Sequence, residues 1–395
     1  MKPNRWLMLT LGVAAQTVAS VFVYGVPYLV PALRSAEHLS LAQAGTVIAA
    51  PTIGLIVALI AWGAAADRYG ERIVLGGGLA LSTLTLAVGL AVNGPALLWV
   101  VFCLAGAAGA SVYAASGRVV MGWFTAKERG LAMGIRQTST ALGMCIAAVT
   151  VPPLAAGHGV RGALLFIAVL TGVVTVAVSI WVVDPPRAVK SVVGAEDRAQ
   201  SPYRTPVLWR IHGASALLVW PQFTVAAFGL LFLVDVQHWS ATSAGRLLAV
   251  GLVLGAVGRI AVGKWSDLVG SRFRPMRQLA LTNGALMLLL ALCALWPSWP
   301  AVVVLVFACG MTASTNGLSF TATAELAGPH WAGRALGVQN TGQNLTASMT
   351  PPLVGALIGT AGYAPAFGLA AVFALAALFA TPAETPAAQV APATA

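Results

Sequence analysis

The sequence predicts an all-α membrane protein with twelve transmembrane helices in two pseudo-symmetric six-helix bundles. Three observations support this fold class: an apolar composition, apolar runs that recur along the whole chain, and an internal repeat. Hydrophobic residues make up 58% of the 395 positions and charged residues only 8%, with a mean hydropathy of +0.86. Soluble domains carry about 25% charged residues. We therefore exclude a soluble domain of useful size.

The apolar runs are about 20 residues long, the length that crosses roughly 30 Å of hydrocarbon as a helix. The opening "MKPNR" resembles the start of a secretory signal, but the run that follows is too long for a signal core, so we interpret it as the first span. The predicted spans lie at 6–31, 41–63, 73–92, 96–121, 131–151, 162–183, 211–234, 243–263, 278–296, 300–323, 335–358 and 363–381.

The hydrophilic interval 184–206, "DPPRAVKSVVGAEDRAQSPYRTP", separates the sixth and seventh spans. Its proline, serine and mixed charge are typical of a linker without a fold of its own. We predict an N-terminal bundle at 1–183, a cytoplasmic linker at 184–210, and a C-terminal bundle at 211–395 that ends in a short cytoplasmic tail.

The basic residues predict the orientation. Of the 22 Lys and Arg, all but Arg34, Arg161 and Arg246 fall on the cytoplasmic side if both termini are cytoplasmic. This asymmetry is the positive-inside pattern, and we expect a multi-pass protein of the bacterial cytoplasmic (inner) membrane. A nucleic-acid surface would also explain a net charge of +11, but these charges are spread over several loops with no folded domain to carry them.

Two pairs of stretches repeat between the halves. "GAAADRYGER" follows the second span and "GKWSDLVGSR" the eighth, while "GLAMGIRQT" from Gly130 pairs with "GRALGVQNT" from Gly333. In the first pair the matching positions are Gly63, Asp67, Gly70 and Arg72 with Gly263, Asp267, Gly270 and Arg272. Both pairs share an offset of about 200 residues, and duplicated helical halves are a recurrent plan of secondary transporters.

The first stretch resembles the G-x-x-x-D-R-x-G-x-R loop signature of the major facilitator superfamily, and it follows the second span as in that family. The second copy has Leu268 in place of the first Arg. The resemblance implies a major facilitator fold and a loop that latches one conformation of an alternating-access transporter. The alternative is that the loop only fixes topology and forms a tight turn through Gly63 and Gly70. The implied gating residues are Asp67, Arg68, Arg72, Asp267 and Arg272.

Polar side chains inside spans are the candidates for cargo contacts, because they are costly in lipid and usually face the bundle interior. Span one carries Gln16, Ser20 and Tyr24 at intervals of four, and span eleven carries two interleaved amide pairs. Hydrogen bonds that merely hold helices together are the alternative. The candidate cavity residues are Gln16, Tyr24, Tyr113, Gln339, Asn340 and Gln343.

Arginines inside spans point to an anionic cargo. Arg259 lies four residues before Gly263, and Arg136 lies about two turns into span five. A guanidinium stays charged and offers a fork of donors that fits a carboxylate. We predict that both bind one anion, with Arg118, closer to the cytoplasm, as a weaker candidate. Each could instead extend to the interface or pair with a gate residue.

Arg259 and the region around Tyr113 resemble the oxalate/formate antiporter and monocarboxylate-porter branches of the superfamily. Gln339 occupies the repeat position of Arg136, so a second basic residue is missing from span eleven. This pattern favours a monocarboxylate over a dicarboxylate. No Asp or Glu lies mid-span, and Asp235 with His238 is the one proton relay that the sequence suggests. Proton symport and anion exchange both remain open.

Other chemistry finds no support in the sequence. The four cysteines fall inside predicted spans without C-x-x-C spacing, and no nucleophile–base motif appears. We therefore expect no enzyme activity, no cofactor, no metal and a monomer, with a small anion and possible protons as partners. Two alternatives remain: an exporter of drugs or other lipophilic compounds, for which Trp220, Phe223 and Phe228 would line a pocket, and a non-transporting receptor on the same scaffold.

Overall fold

The computed structural model describes residues 4–29, 32–33, 41–185, 201–296 and 298–383, and these residues form helices and no strand. The predicted linker residues 186–200, the tail 384–395 and Arg34 lie outside the described residues. The helices are α1 (Arg5–Gly25), α2 (Leu41–Tyr69), α3 (Glu71–Gly89), α4 (Pro95–Trp123), α5 (Arg129–Trp181), α6 (Pro206–Asp235), α7 (Ala241–Val269), α8 (Phe273–Cys293), α9 (Trp299–Ala313), α10 (Asn316–Ala327), α11 (Ala332–Ala361) and α12 (Tyr363–Ala380).

Within the described residues, ten helical segments are long and apolar enough to cross a membrane. Nine of them each coincide with one predicted span. The tenth, α5, contains 53 residues and covers predicted spans five and six. Its backbone leaves helical geometry at Gly159 (φ 66°), between the two predicted spans. A straight helix of that length would measure about 80 Å, far more than one membrane crossing.

Helix α11 covers predicted span eleven but is not among the ten apolar segments. Its first half carries Gln339, Asn340, Gln343 and Asn344, which lower its hydropathy. A helix of this polarity enters a membrane only where its polar face is covered by protein or water. The all-helical fold class is confirmed, while the count of twelve spans stays a prediction.

The residues cluster into two compact units. The first comprises Met1–Pro202 with Thr323–Leu345, and the second comprises Tyr203–Ala322 with Thr346–Ala395. In the first unit, α1 to α5 surround one apolar core. In the second, α6, α8, α9 and α12 contribute most of the buried apolar residues. The first turns of α11 therefore belong with the helices of the N-terminal half, and the predicted bundle boundaries stay an expectation.

Glycine allows α2 and α4 to approach closely in the first unit. A Cβ added to Gly106 would overlap the backbone carbonyl of Pro51, and one added to Gly54 would overlap the carbonyl of Cys103. Small residues at helix interfaces permit such backbone contact inside a membrane. This packing fixes α4, which carries Tyr113, Ser116 and Arg118 toward the functional site.

Candidate functional site

Arg136 lies in the second turn of α5 and is one of the largest fully buried side chains, with 1% of its surface exposed. Its Nε donates to Ser116 Oγ at 2.9 Å, and its Nη2 donates to the Tyr113 carbonyl at 3.2 Å. Its Nη1 donates to Gln137 Oε1 at 3.2 Å and contacts Met133 Sδ at 3.5 Å. Each of these four groups is neutral and contributes a dipole to the surroundings of the guanidinium.

The partners of Arg136 extend into a wider network of polar side chains. Ser116 donates to Gln16 Oε1 at 3.2 Å, and Gln16 Nε2 donates to Thr140 Oγ1 at 3.3 Å. The hydroxyls of Ser20 and Tyr113 share a hydrogen bond of 2.9 Å. We call Gln16, Ser20, Tyr113, Ser116, Arg136 and Thr140 the polar cluster. It joins α1, α4 and α5 inside the first compact unit.

Helix α11 contacts the polar cluster through an amide. Asn340 Nδ2 donates to the Leu336 carbonyl at 2.9 Å and lies 3.5 Å from the Tyr113 carbonyl, which also accepts from Arg136. Gln339 is buried and accepts from Thr323 Oγ1 at 3.4 Å. Gln343 and Tyr24 are half-buried in the same unit. The structure thus gathers the predicted Gln16, Tyr113 and Arg136 in one network, with Asn340 at its edge.

Arg259 lies on α7 in the second compact unit, where 9% of its surface is exposed. Its Nε donates to the carbonyl of Ala313 at 3.1 Å. Ala313 is the last residue of α9, and a cation stabilises the partial negative charge of a helix C-terminus. The Nε of Arg259 therefore stabilises the end of α9. That Arg259 and Arg136 bind the same anion stays a prediction.

Asp67, near the end of α2, binds the N-terminus of α11. Its Oδ1 accepts from the backbone N–H of Gly333 at 2.8 Å, and its Oδ2 accepts from that of Arg334 at 3.0 Å. The Arg334 side chain lies 3.5 Å from Oδ2, and Arg118 donates to Oδ1. The unpaired N–H groups and dipole of a helix N-terminus favour an anion at this position. We call these contacts of Asp67 the latch.

Three residues around the latch were not predicted as gate residues: Arg118, Glu71 and Arg334. Arg118, interpreted from the sequence as a weak cargo candidate, donates from Nε to Glu71 Oε1 at 2.7 Å as well as to Asp67. Glu71 and Asp67 each expose only 2% of their side chains. The signal for Arg118 was the presence of two acids in "DRYGER" and a single Arg inside span four.

The other predicted gating residues of the first loop lie elsewhere. Arg68 is exposed, with its guanidinium 5.3 Å above the ring of Tyr69. Arg72 binds the end of α5: its backbone N–H donates to Asp184 Oδ1 at 2.8 Å, and its Nη2 donates to the Ser179 carbonyl at 2.9 Å. Arg72 therefore fixes the start of α3. A gating role for either residue stays a prediction.

The glycines of this loop have different functions. Gly70 has a φ of 97° and forms the turn between α2 and α3. Gly63 lies within α2, so it takes no part in that turn. A Cβ on Gly63 would overlap the carbonyl of Gly333. This glycine permits the helix contact that the latch requires.

In the second copy of the loop, the Asp and the last Arg of the motif bind each other. Arg272 Nη1 donates to Asp267 Oδ1 at 2.7 Å and to Ser266 Oγ at 2.6 Å. Asp267 exposes 1% of its side chain and Arg272 11%. This ion pair spans five residues and fixes the end of α7 to the start of α8. The repeat thus keeps the Asp and the last Arg of the motif, but these residues have other partners than in the first copy.

Comparison with known proteins identifies the family. The model of the Major Facilitator Superfamily matches residues 12–351. Two relatives from Mycobacterium tuberculosis, the uncharacterized MFS-type transporters Rv2994 of strain H37Rv and MT3072 of strain CDC 1551, are each 42% identical over 368 residues. The match covers 92% of this chain and 82% of either relative.

Solved structures show the same fold at low identity. The E. coli fucose:proton symporter FucP superposes with a TM-score of 0.76 at 16% identity, covering 94% of this chain and 97% of FucP. The proton:xylose symporter XylE gives 0.77 at 14% identity, with 95% and 94% covered. The human organic anion transporter MFSD10 gives 0.70 at 16% identity, with 96% and 100% covered. The chain therefore belongs to the Major Facilitator Superfamily and is a multi-pass membrane transporter, not an enzyme.

Proposed function

We propose that this chain is an alternating-access secondary transporter of a small organic anion, a monocarboxylate, which it moves by proton symport or by anion exchange. The observation that carries the proposal is the burial of Arg136, with 1% of its surface exposed, inside a cluster of polar side chains from three helices. Removing a permanent charge from water is expensive, and dipoles offset only part of that cost. A bound carboxylate beside Arg136 would offset part of this cost through a charge-assisted hydrogen bond.

The choice of a monocarboxylate depends on the repeat. Gln339 stands where the second copy of "GLAMGIRQT" would place a counterpart of Arg136. Its amide can donate a hydrogen bond but carries no charge. One guanidinium with amides and hydroxyls around it matches a ligand with one negative charge and a few polar groups. Gln16, Tyr113, Asn340 and Gln343 would select its shape.

The latch would supply the gate of this transporter. Asp67 holds the first turn of α11, and Asn340 lies seven residues further along the same helix at the polar cluster. Seven residues are about two turns, or roughly 10 Å. A movement of α11 would therefore change both the latch and the surroundings of Arg136, as alternating access requires.

Neither alternative is favoured by an observation of this kind. Trp220, which would line an aromatic pocket in an exporter of lipophilic compounds, is buried and stacks on Phe373 with ring centroids 4.4 Å apart. This contact fills the core of the second unit.

A thermal-shift screen of the purified protein tests the proposal. We expect monocarboxylates to raise the melting temperature of the wild type, because a ligand at about 100 times its Kd stabilises the folded state by about 2.7 kcal/mol. The shift should vanish in Arg136→Gln and persist partly in Arg136→Lys. Arg161→Gln is the matched control, since that side chain is exposed and donates to Asn93. Stabilisation by lipophilic cations alone would contradict the proposal.

Flux measurements complete the test. Proteoliposomes containing the wild type should take up a radiolabelled monocarboxylate that scored in the screen, and Arg136→Gln should abolish this uptake. Lack of uptake of every stabilising compound by the wild type would favour the receptor alternative. Uptake that Arg136→Gln leaves unchanged would remove Arg136 from the site.

A further inference from the structure

We propose that Arg274 and Arg277, in the first two turns of α8, bind the phosphate of an anionic phospholipid. The acyl chains of this lipid would lie along the exposed apolar face of the same helix. The inference goes beyond the proposed transport function, because the site faces lipid and not cargo. It can therefore be tested without any organic anion.

Arg274 and Arg277 are two positive charges without an acidic partner. They lie three residues apart on α8, so their side chains are neighbours on the helix surface. Arg274 is exposed and Arg277 half-buried, and among the described residues no ion pair or side-chain hydrogen bond engages either guanidinium. The acid nearest to them in the sequence, Asp267, is already bound to Arg272. Both guanidiniums are therefore available to an anion from outside the protein.

Helix stability does not explain these two charges. Helix α8 begins at Phe273, and its first turn contains no acid. The positive end of a helix dipole repels cations in the first turn, so Arg274 is unfavourable there for α8 alone. Lysine would serve the positive-inside pattern equally well. A guanidinium, in contrast, can bind two phosphate oxygens at once, so a phosphate is the partner that best matches it at a membrane surface.

Helix α8 presents an apolar face to lipid next to these arginines. Leu281 and Leu288 follow Arg274 at intervals of seven residues, about two helical turns or roughly 10 Å each, so all three lie on one face. Leu281 exposes 53% of its surface and Leu288 exposes 46%. Met276 and Asn283, which share the opposite face, are completely buried. A phospholipid has the same arrangement as the exposed face, with a charged phosphate above apolar chains.

The turn before α8 adds apolar and basic side chains at the same end of the helix. Leu268, near the end of α7, exposes 75% of its surface and stands where the first copy of the loop has Arg68. Lys264, one turn earlier on α7, is exposed as well. At the edge of the hydrocarbon, acyl chains bury an apolar side chain, and a basic side chain extends to the phosphates. Leucine in place of arginine at position 268 is therefore favourable where lipid covers this turn.

The number of charges sets the expected strength of binding. One basic side chain near an anionic membrane surface increases the affinity for that surface about fivefold. Two of them predict a preference of about 25-fold for an anionic lipid over a zwitterionic lipid with the same chains. High salt should reduce this preference, because it screens exposed charges.

Native mass spectrometry of the purified protein in detergent tests the inference. We expect phosphatidylglycerol to bind about 25-fold more tightly than phosphatidylcholine with the same acyl chains. The double variant Arg274→Gln/Arg277→Gln should bind the two lipids equally. Arg161→Gln/Arg246→Gln is the matched control, because it removes the same charge from two other exposed arginines and should keep the preference. Unchanged preference in the Arg274→Gln/Arg277→Gln variant would overturn the inference.

Competition with a soluble phosphate ester separates a lipid from a soluble ligand. Glycerol 3-phosphate should not displace bound phosphatidylglycerol at equal concentration, because it lacks the chains that contact α8. Displacement would assign Arg274 and Arg277 to a soluble phosphate compound, and the lipid proposal would be wrong.

A measurement on the wild type covers the case in which the double variant does not fold. Phosphatidylglycerol with a photoreactive group in one acyl chain should cross-link mainly to residues 268–292, identified by peptide mass spectrometry. The phosphatidylcholine analogue should label these residues much less, and equal labelling by the two lipids would contradict the proposal. No readout involves the cargo or Arg136, so these outcomes are distinguishable from failure of the proposed transport.

Discussion

Replacing Gly63 by alanine should act as a wedge between α2 and α11. The new Cβ would overlap the carbonyl of Gly333 and lie 3.1 Å from the Cα of Arg334. Both neighbours are backbone atoms, so no side-chain rotation can relieve the overlap. Overpacking of this kind costs about 1–3 kcal/mol. Asp67, one helical turn further along α2, would lose its hydrogen bonds to the same two residues.

A cost of about 1–3 kcal/mol shifts the latch equilibrium by about 5- to 150-fold toward the released state. Hydrogen exchange of the Gly333 and Arg334 amides measures this shift. Gly77→Ala is the matched control, because a Cβ at that glycine on α3 meets nothing within 4 Å. If Gly63→Ala leaves these amides as protected as in the control, the close contact does not limit the latch.

Three further substitutions have defined outcomes. Gly106→Ala should lower the melting temperature, because the new Cβ would overlap the Pro51 carbonyl. The control Gly157→Ala should not lower it, because a Cβ there meets nothing within 4 Å. Equal melting temperatures of the two variants would contradict the close packing of α2 and α4. Tyr113→Phe removes the 2.9 Å hydrogen bond to Ser20 and should lower the free energy of unfolding by about 0.5–1.5 kcal/mol, measured by chemical denaturation. An unchanged free energy of unfolding would show that this bond does not stabilise the protein. Asp267→Asn should lower the melting temperature but leave exchange at Gly333 unchanged, and a change there would show that the second loop also controls the latch.

The fold was predictable because its main determinant is the length of apolar runs. Most described helices coincide with a predicted span, since about 20 residues are needed wherever a helix crosses the hydrocarbon. Helix α11 is the instructive case. It is not among the ten strongly apolar segments, although a span was predicted at 335–358, and its repeat of "GLAMGIRQT" agrees with that span. The repeat remains recognisable in the part of the chain where polar residues weaken the apolar pattern.

The candidate site was only partly predictable. Helical periodicity placed Ser20 one turn from Gln16, and both lie in the polar cluster. Periodicity does not say which helices meet, so the shared carbonyl of Tyr113 and the contact of Asn340 required coordinates. Arg118 shows the limit most clearly. Its position near the C-terminal end of α4 was predictable, but its partners on α2 and α3 depend on helix packing.

The two copies of the loop differ because their surroundings differ. Asp67 meets Arg118, which lies 12 residues before Gly130, the first residue of the repeated stretch "GLAMGIRQT". The corresponding position before Gly333 is Thr321, which carries no charge. Asp267 pairs with Arg272 of its own loop, while the equivalent Arg72 binds the end of α5. A carboxylate paired within five residues contributes to local stability, whereas one that binds a helix start 266 residues away can change partner when that helix moves. The two loops therefore share the Asp and the last Arg of the motif, while in the first loop Arg118 on α4 binds both Asp67 and Glu71.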